Sequence, residues 1–278
     1  MKNSLAYLTL LVAFTFVSCD LISEWEDPDN PYEEYQGRMI DRIRIDESGY
    51  GSDYIYYDYD RKGRIESIEN TYYNTFEEYS YTVDQYGDDM ITVWNNIGDD
   101  RDIVLNWYGY AKQEWSYYNG EVVKLTDYSY LSKMLSNVYV EEYSAFGMLL
   151  SEASYDFDYD YANNLKSISC FYEEEGYYID SKLTYSGFCD YENNYNVDIL
   201  SILELYIDDD FASRIGRTGN RSSYLPTQAI LRANRNGRYD DDVVYRIRYT
   251  SSKGLITSIE ISSSLGMDKT LYITYCNF

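Results

Sequence analysis

The segment Tyr59-Asp60-Arg61-Lys62-Gly63-Arg64-Ile65-Glu66-Ser67-Ile68 returns one hundred residues later as Tyr159-Asp160-Tyr161-Ala162-Asn163-Asn164-Leu165-Lys166-Ser167-Ile168. Gly63 and Asn163 fall at the same place in the two copies. Both residue types tolerate the positive φ that a tight hairpin turn demands. A third copy runs from Tyr249 through Gly254 to Glu260 after one extra turn residue, and weaker versions lie around Gly109 and Gly147. The recurring unit is strand, turn, strand. A chain that repeats such a unit buries its apolar face by adding neighbours.

Period-two alternation supplies the strands. Ile40, Ile43 and Ile45 interleave with Met39, Arg42 and Arg44, and Tyr54, Tyr56 and Asp58 alternate with Ile55, Tyr57 and Tyr59, one set to each face. Similar runs recur at Ser80–Val83, Met90–Trp94, Ile103–Trp107, Gln113–Tyr118, Val122–Tyr130, Val138–Tyr143, Leu149–Tyr161, Lys166–Tyr172, Tyr177–Tyr185, Val243–Tyr249, Ile256–Ser262 and Thr270–Cys276. With 37 Tyr and only 3 Pro, strand-forming aromatics stand where a helical protein would use Leu and Ala. The expected fold is all-β, a many-stranded antiparallel meander of repeated hairpins in a single domain over residues 38–278. A Tyr row packs its rings and is expected to keep its hydroxyls in water. One segment departs from the pattern: Val197, Leu200, Leu203 and Ile207 fit one face of a short helix over residues 196–211, with Asn196 as its cap. Arg214, Arg217, Arg221, Arg232, Arg235 and Arg238 follow it, and pairing with Asp208 to Asp210 and Asp240 to Asp242 is favoured over an anion site.

The N-terminus reads as an address. A charged start, a short apolar run from Leu5 to Val17 and Ser18-Cys19 have the form of a secretory signal, and the run falls short of the roughly twenty residues that span a bilayer. Phe16-Val17-Ser18-Cys19 resembles the bacterial lipobox, with Phe16 in place of the usual Leu. Residues 1–18 are therefore expected to be removed as a signal peptide, Cys19 to carry the lipid and residues 19–37 to form an acidic tether. The tether contains Pro28 and Pro31 and few aliphatic residues, too few to offset chain entropy by burial.

The formal net charge of −25 repels nucleic acid and anionic lipid, so no nucleic-acid partner is expected. With no His, mechanisms that use Ser-His-Asp, Cys-His or His-ligated zinc are closed to this chain. Asp156, Asp158 and Asp160 imitate the start of a calcium loop, but Tyr161 stands where the turn needs Gly and Ser167 where the bidentate Glu belongs. They read instead as an exposed strand face opposite Tyr155, Phe157, Tyr159 and Tyr161. No catalytic, cofactor or metal residue is assigned. Of the remaining thiols, Cys170 and Cys189 are the pair that adjacent strands would bring together, with Cys276 left over.

Tyr-Asp before a Gly turn, followed by Arg-Ile or Asn-Leu, resembles the YD repeat of bacterial surface and toxin-shell proteins. Leu105-Asn106-Trp107-Tyr108-Gly109-Tyr110-Ala111, the segment from Arg217-Thr218-Gly219-Asn220 to Tyr224-Leu225-Pro226, and the terminal hairpin resemble a Bacteroidetes family of surface lipoproteins of unknown function (DUF4595-like). The resemblance implies an outer-membrane address. In that setting Ser23-Glu24-Trp25-Glu26-Asp27 resembles the acidic signal that exports such lipoproteins to the cell surface. The expected role is non-catalytic binding of a glycan or protein. A structural envelope spacer and an uncharacterised carbohydrate-active enzyme are the competing readings. A flat exposed aromatic strip would favour the first, and a deep pocket with a carboxylate pair the enzyme.

Overall fold

The computed structural model describes residues 39–49, 51–193, 199–203, 216–219 and 222–276. They belong to one compact unit, Tyr35–Phe278. Seventeen strands run in chain order: β1 (Met39–Glu47), β2 (Ser52–Tyr59), β3 (Ile65–Asn70), β4 (Thr75–Val83), β5 (Asp89–Asn95), β6 (Asp99–Leu105), β7 (Ala111–Tyr118), β8 (Glu121–Leu131), β9 (Met134–Tyr143), β10 (Leu149–Tyr159), β11 (Leu165–Glu174), β12 (Tyr177–Glu192), β13 (Tyr224–Arg235), β14 (Arg238–Tyr239), β15 (Val243–Ser252), β16 (Leu255–Ser263) and β17 (Asp268–Cys276). Each pairs antiparallel with the next except the two-residue β14, which pairs with β13, and β13 pairs directly with β15. β1 pairs with β17 from Met39↔Cys276 to Glu47↔Lys269. The meander therefore closes into a barrel of sixteen staves, which removes the edges an open sheet would expose.

Two turn types make the hairpins. In the first, an Asp, Asn or Ser accepts backbone N–H bonds two and four residues on, and the residue three places on has positive φ. It occurs at Asp60 with Gly63 (φ 75°), Asp84 with Gly87, Asn106 with Gly109, Ser144 with Gly147, and Asp160 with Asn163 (φ 60°). The equivalence of Gly63 and Asn163 thus holds in three dimensions. In the second type two consecutive residues have positive φ, as at Asn119-Gly120, Glu175-Gly176, Asn236-Gly237 and Lys253-Gly254, the signature of a type I′ hairpin. Gly254 belongs to this second type, so the third sequence copy is a different turn from the first two.

Strand alternation separates a dry inside from a charged outside. Ile43, Ile68, Ile91, Val93, Ile103, Leu135, Ile168, Leu183, Ile259 and Leu271 point inward and are buried in one contiguous core. An aqueous channel at their level would leave these side chains accessible, so the walls pack on one another. The outer faces carry Asp58, Glu78, Asp156, Lys166, Lys182, Arg246, Arg248 and Glu260. A barrel that crosses a bilayer shows lipid an apolar band on this face. Here the polarity is reversed.

The Tyr hydroxyls correct the expectation that they stay wet. Hairpins joined at the upper end of the barrel have open lower ends, and there a Tyr near the end of the descending strand donates its hydroxyl to a backbone carbonyl at the start of the ascending one. The bonds are Tyr59 to Ile40, Tyr81 to Ile65 (2.8 Å), Tyr130 to Ala111 (2.7 Å), Tyr159 to Leu135 (2.7 Å), Tyr249 to Pro226 (2.8 Å) and Tyr275 to Ile256 (2.7 Å). All six are part-buried, and burial raises the pKa of Tyr81 and Tyr249 far above the usual phenol range. Each bond ties two strands that no lower turn connects.

The described residues of the long connection from β12 to β13 pack at this lower end. They include one helical turn, α1 (Ile199–Ile202), whose Ile199 N–H donates to the Asn193 side chain. Of the helix expected over residues 196–211, residues 196–198, with the expected cap Asn196, and 204–211 lie outside the described residues. Ile199, Leu200 and Leu203 enter the core. Further on, Arg217 is fully buried and donates to the Gly109 carbonyl at 3.1 Å, while its own carbonyl accepts from the Ala111 N–H at 2.6 Å. Desolvation alone lowers its pKa to about 10, so it stays a cation at neutral pH. Ser222 and Tyr224 bond Leu165 and Asn164. A side chain at Gly219 would strike the Lys133 carbonyl 2.6 Å away, and its φ of +70° further reserves the position for Gly.

Candidate functional site: an outer groove across β2 to β5

Cross-strand register assembles a row on the outer face: Asp58 lies opposite Ser67, Ser67 opposite Glu78, and Glu78 opposite Trp94. Glu66 joins the row because a bulge between Asp58 and Tyr59 shifts the pairing. Phe76 sits one row up and packs edge-on to Trp94, with ring centroids 6.5 Å apart and planes at 66°. Together these residues line an open groove of about 600 Å³. Trp94, on the outer face, leaves 48% of its surface in solvent. The Ser67 hydroxyl donates to Asp58 at 3.1 Å, which orients that carboxylate along the groove.

A second, smaller cleft of about 350 Å³ continues the surface toward β7 and shares Thr92 with the first. Thr92 donates to Asp102 at 2.8 Å, and the Tyr117 phenol there has a raised pKa, chiefly through burial and further through the charge and hydrogen bond of Asp102. The surface as a whole offers aromatic faces beside a line of carboxylate acceptors. It is shallow and open, with no enclosed reaction chamber at this place.

The inner face carries a different polar set. Arg101 and Glu77 are both buried, 3.9 Å apart; Tyr79 donates to Glu77, and Tyr128 to the buried Glu114 at 2.9 Å. The ion pair and the two Tyr bonds offset part of the cost of burying these charges, and Arg101 Nη1 makes its ionic contact to Glu77 without a hydrogen bond. Arg101 also contributes to the lining of the smaller cleft, while Glu77, Glu114, Tyr79 and Tyr128 lie buried in the wall.

The residues singled out from sequence fall as follows. Asp156 and Asp158 lie on the exposed face as expected, but Asp160 caps the following turn and Tyr161 stands at its tip in full solvent. The described residues contain no group of three or more potential metal ligands. Cys170 and Cys189 are not bonded to each other. Cys170 pairs in register with Ser181, eight residues from Cys189 along β12, about 27 Å at the usual strand rise. Arg232 and Arg235 pair with Asp242 and Asp240 at 2.9 and 2.8 Å, as expected of that basic run. Arg214 and Arg221, and Cys19 with the whole leader and tether, lie outside the described residues. Phe76 and Trp94 were not singled out; alternation places each on a face, but only register brings the two together.

No family model matches the sequence, and no curated protein matches it, so neither the DUF4595-like nor the YD-repeat assignment is shown. Two solved structures are similar in fold. A porin-like protein from Bacteroides vulgatus superposes with a TM-score of 0.67 at 14% identity, over 87% of this chain and 100% of that one. A porin-like protein from Bacteroides uniformis gives 0.60 at 16% identity, over 87% and 99%. At this identity the likeness establishes a shared barrel fold along nearly the whole length of both proteins.

Proposed function

We propose that this chain is a lipid-anchored outer-membrane protein that captures glycans without transforming them, through the groove across β2 to β5. The observation that carries the reading is the half-exposed Trp94 ring, set edge-on to Phe76 and beside Asp58, Glu66 and Glu78. An aromatic face stacks on the apolar face of a sugar ring, and carboxylates accept from its hydroxyls. Fixed aromatic side chains supply this contact area at low entropic cost. The acidic lining favours neutral sugars over uronic or sulfated ones, because like charges would repel.

The same geometry argues against conduction, since the outer wall is charged and the inside is packed with Ile and Leu. Similarity to proteins described as porin-like supports an outer-membrane setting, and the lipobox at Cys19 supplies the means of attachment. The test is titration of neutral oligosaccharides into the Cys19→Ala protein and its Trp94→Ala variant, followed by calorimetry. Loss of the stacking ring is expected to weaken binding about tenfold, equivalent to about 1.4 kcal/mol. Unchanged affinity would remove the groove as the site.

A further inference from the structure

We infer that the lower end of the barrel rests on the bilayer that holds the anchor, inserting the aromatic tips of its turns at the headgroup level. The inference builds on the lipid anchor proposed above. Three independent features of the molecule converge on it.

The first is where the chain enters. β1 begins at Met39 at the lower end, opposite Cys276 of β17. The nineteen residues from Asp20 to Arg38 connect that point to Cys19, so the anchor delivers this end to the membrane first. The second feature is the tips themselves. Tyr86, Trp107, Leu131 and Tyr161 stand on or beside four successive lower turns, and Trp107 is 85% exposed. Trp and Tyr are the side chains that concentrate at membrane interfaces, where the ring meets acyl chains and the polar edge stays wet. Trp107 is backed rigidly, by Tyr108 at 4.3 Å and then by Tyr110 and Tyr130.

The third is charge. The lower turns carry Arg61, Lys62, Lys133 and Lys253; of their acids, Asp60 pairs with Arg64, Asp88 with Lys112, and Asp84 and Asp160 accept backbone N–H bonds, while Asp89, Asp190 and Glu192 are exposed on the adjoining strand ends. Glu47, Glu121, Glu175, Asp240 to Asp242 and Asp268 lie at the upper end, where Arg235 and Arg232 pair with Asp240 and Asp242. That end also exposes apolar tips, notably Phe146 and Leu265, but the neighbouring carboxylates would meet anionic headgroups unfavourably. In an acidic protein, the lower end is the one whose field tolerates a membrane.

The experiment uses the full lipidated chain in phosphatidylcholine vesicles containing a minority of phosphatidylglycerol, with phosphatidylcholine brominated on its acyl chains as quencher. One protein keeps only Trp107, through Trp25→Phe, Trp94→Phe and Trp115→Phe. A second also carries Trp107→Phe and Phe146→Trp, which moves the probe to the upper end. Trp107 emission is expected to fall at least about twofold and shift to the blue, as an interfacial ring does, while the Phe146→Trp emission stays unchanged. Lys62→Glu with Lys133→Glu should weaken the Trp107 quenching. A vesicle-bound protein whose Trp107 is unquenched, or whose two probes are quenched equally, overturns the docking and leaves the anchor standing. A protein that does not remain with the vesicles overturns the anchor, and the docking with it.

Discussion

The two ends of the barrel are secured by different chemistry. At the lower end, strands that no turn connects are tied by Tyr hydroxyls to neutral backbone carbonyls, and the β12 to β13 connection lays Arg217 across the turn at Gly109. At the upper end, the inner face holds an ion pair, Arg101 with Glu77, plus Asn70, Asn95, Ser116 and Ser151, all buried. Neutral bonds to the main chain recur with little regard to neighbouring residues, so the lower end repeats around the ring. A buried ion pair needs its own partner in one place, so this part of the upper solution is local to β4 and β6. A repeated hairpin can thus keep one end generic and leave the other free to specialise.

The largest effect that separates the ends should come from the two buried Arg residues. Arg101→Ala leaves Glu77 buried without its cation, a change that costs about 3–5 kcal/mol in comparable sites. Arg217→Ala removes a charged donor to a neutral carbonyl and is expected to cost less, about 2–3 kcal/mol. Urea melts at neutral pH read both. An equal loss in the two variants would erase the distinction between the ends.

Next in size are the Tyr bonds. Tyr81→Phe, Tyr130→Phe and Tyr159→Phe each remove one part-buried hydroxyl from a main-chain carbonyl and are expected to cost about 1 kcal/mol apiece; Tyr81 should add nearly independently to either of the others, while Tyr130 and Tyr159 meet at Leu135 and should couple. Tyr54→Phe on the outer face is the control and should be close to silent. Hydrogen exchange localises the result. Loosening confined to the lower strand ends supports the tie, whereas uniform loosening would assign these residues to general packing.

How much of this was legible in the sequence follows from the range of each interaction. Alternation and turn chemistry are local, so most strands and the equivalence of Gly63 with Asn163 could be read directly. Closure was hidden because it pairs Met39 with Cys276, residues at opposite ends of the chain. β13 was missed because Pro226 and the Arg residues around Ala233 masked its alternation; Pro is tolerated there near the start of the strand. The Tyr ties had no visible acceptor, since their partners are main-chain oxygens of Ile40, Ile65, Ala111, Leu135, Pro226 and Ile256, which no side chain announces. The groove was illegible for the same reason as the closure: Phe76 and Trp94 meet only through register.

The smallest effect concerns the turns of the lower end and tests whether their charge matters at all. Asp160 accepts the N–H groups of Ala162 and Asn164 at 2.8 and 2.9 Å, and the backbone bond from Asn164 is the foremost reason its pKa is lowered. A carboxylate depressed in the folded state contributes stability that is present above its unfolded pKa of about 3.9 and is lost as pH falls through the folded value. Asn106 fills the same position in the β6 to β7 turn, accepting from Tyr108 and Tyr110 at 2.9 and 3.1 Å without any charge. Asp160→Asn should therefore preserve the turn, cost only about 0.3 kcal/mol at neutral pH because the group is solvent-screened, and erase that small difference in acid. Asp60→Asn should cost more, since it also loses the Arg64 ion pair at 2.6 Å. Urea midpoints of both variants and the parent at pH 7 and pH 3 decide the matter. If the Asp160→Asn gap persists unchanged at pH 3, the carboxylate contributes through shape alone, and the lower turns owe nothing to charge.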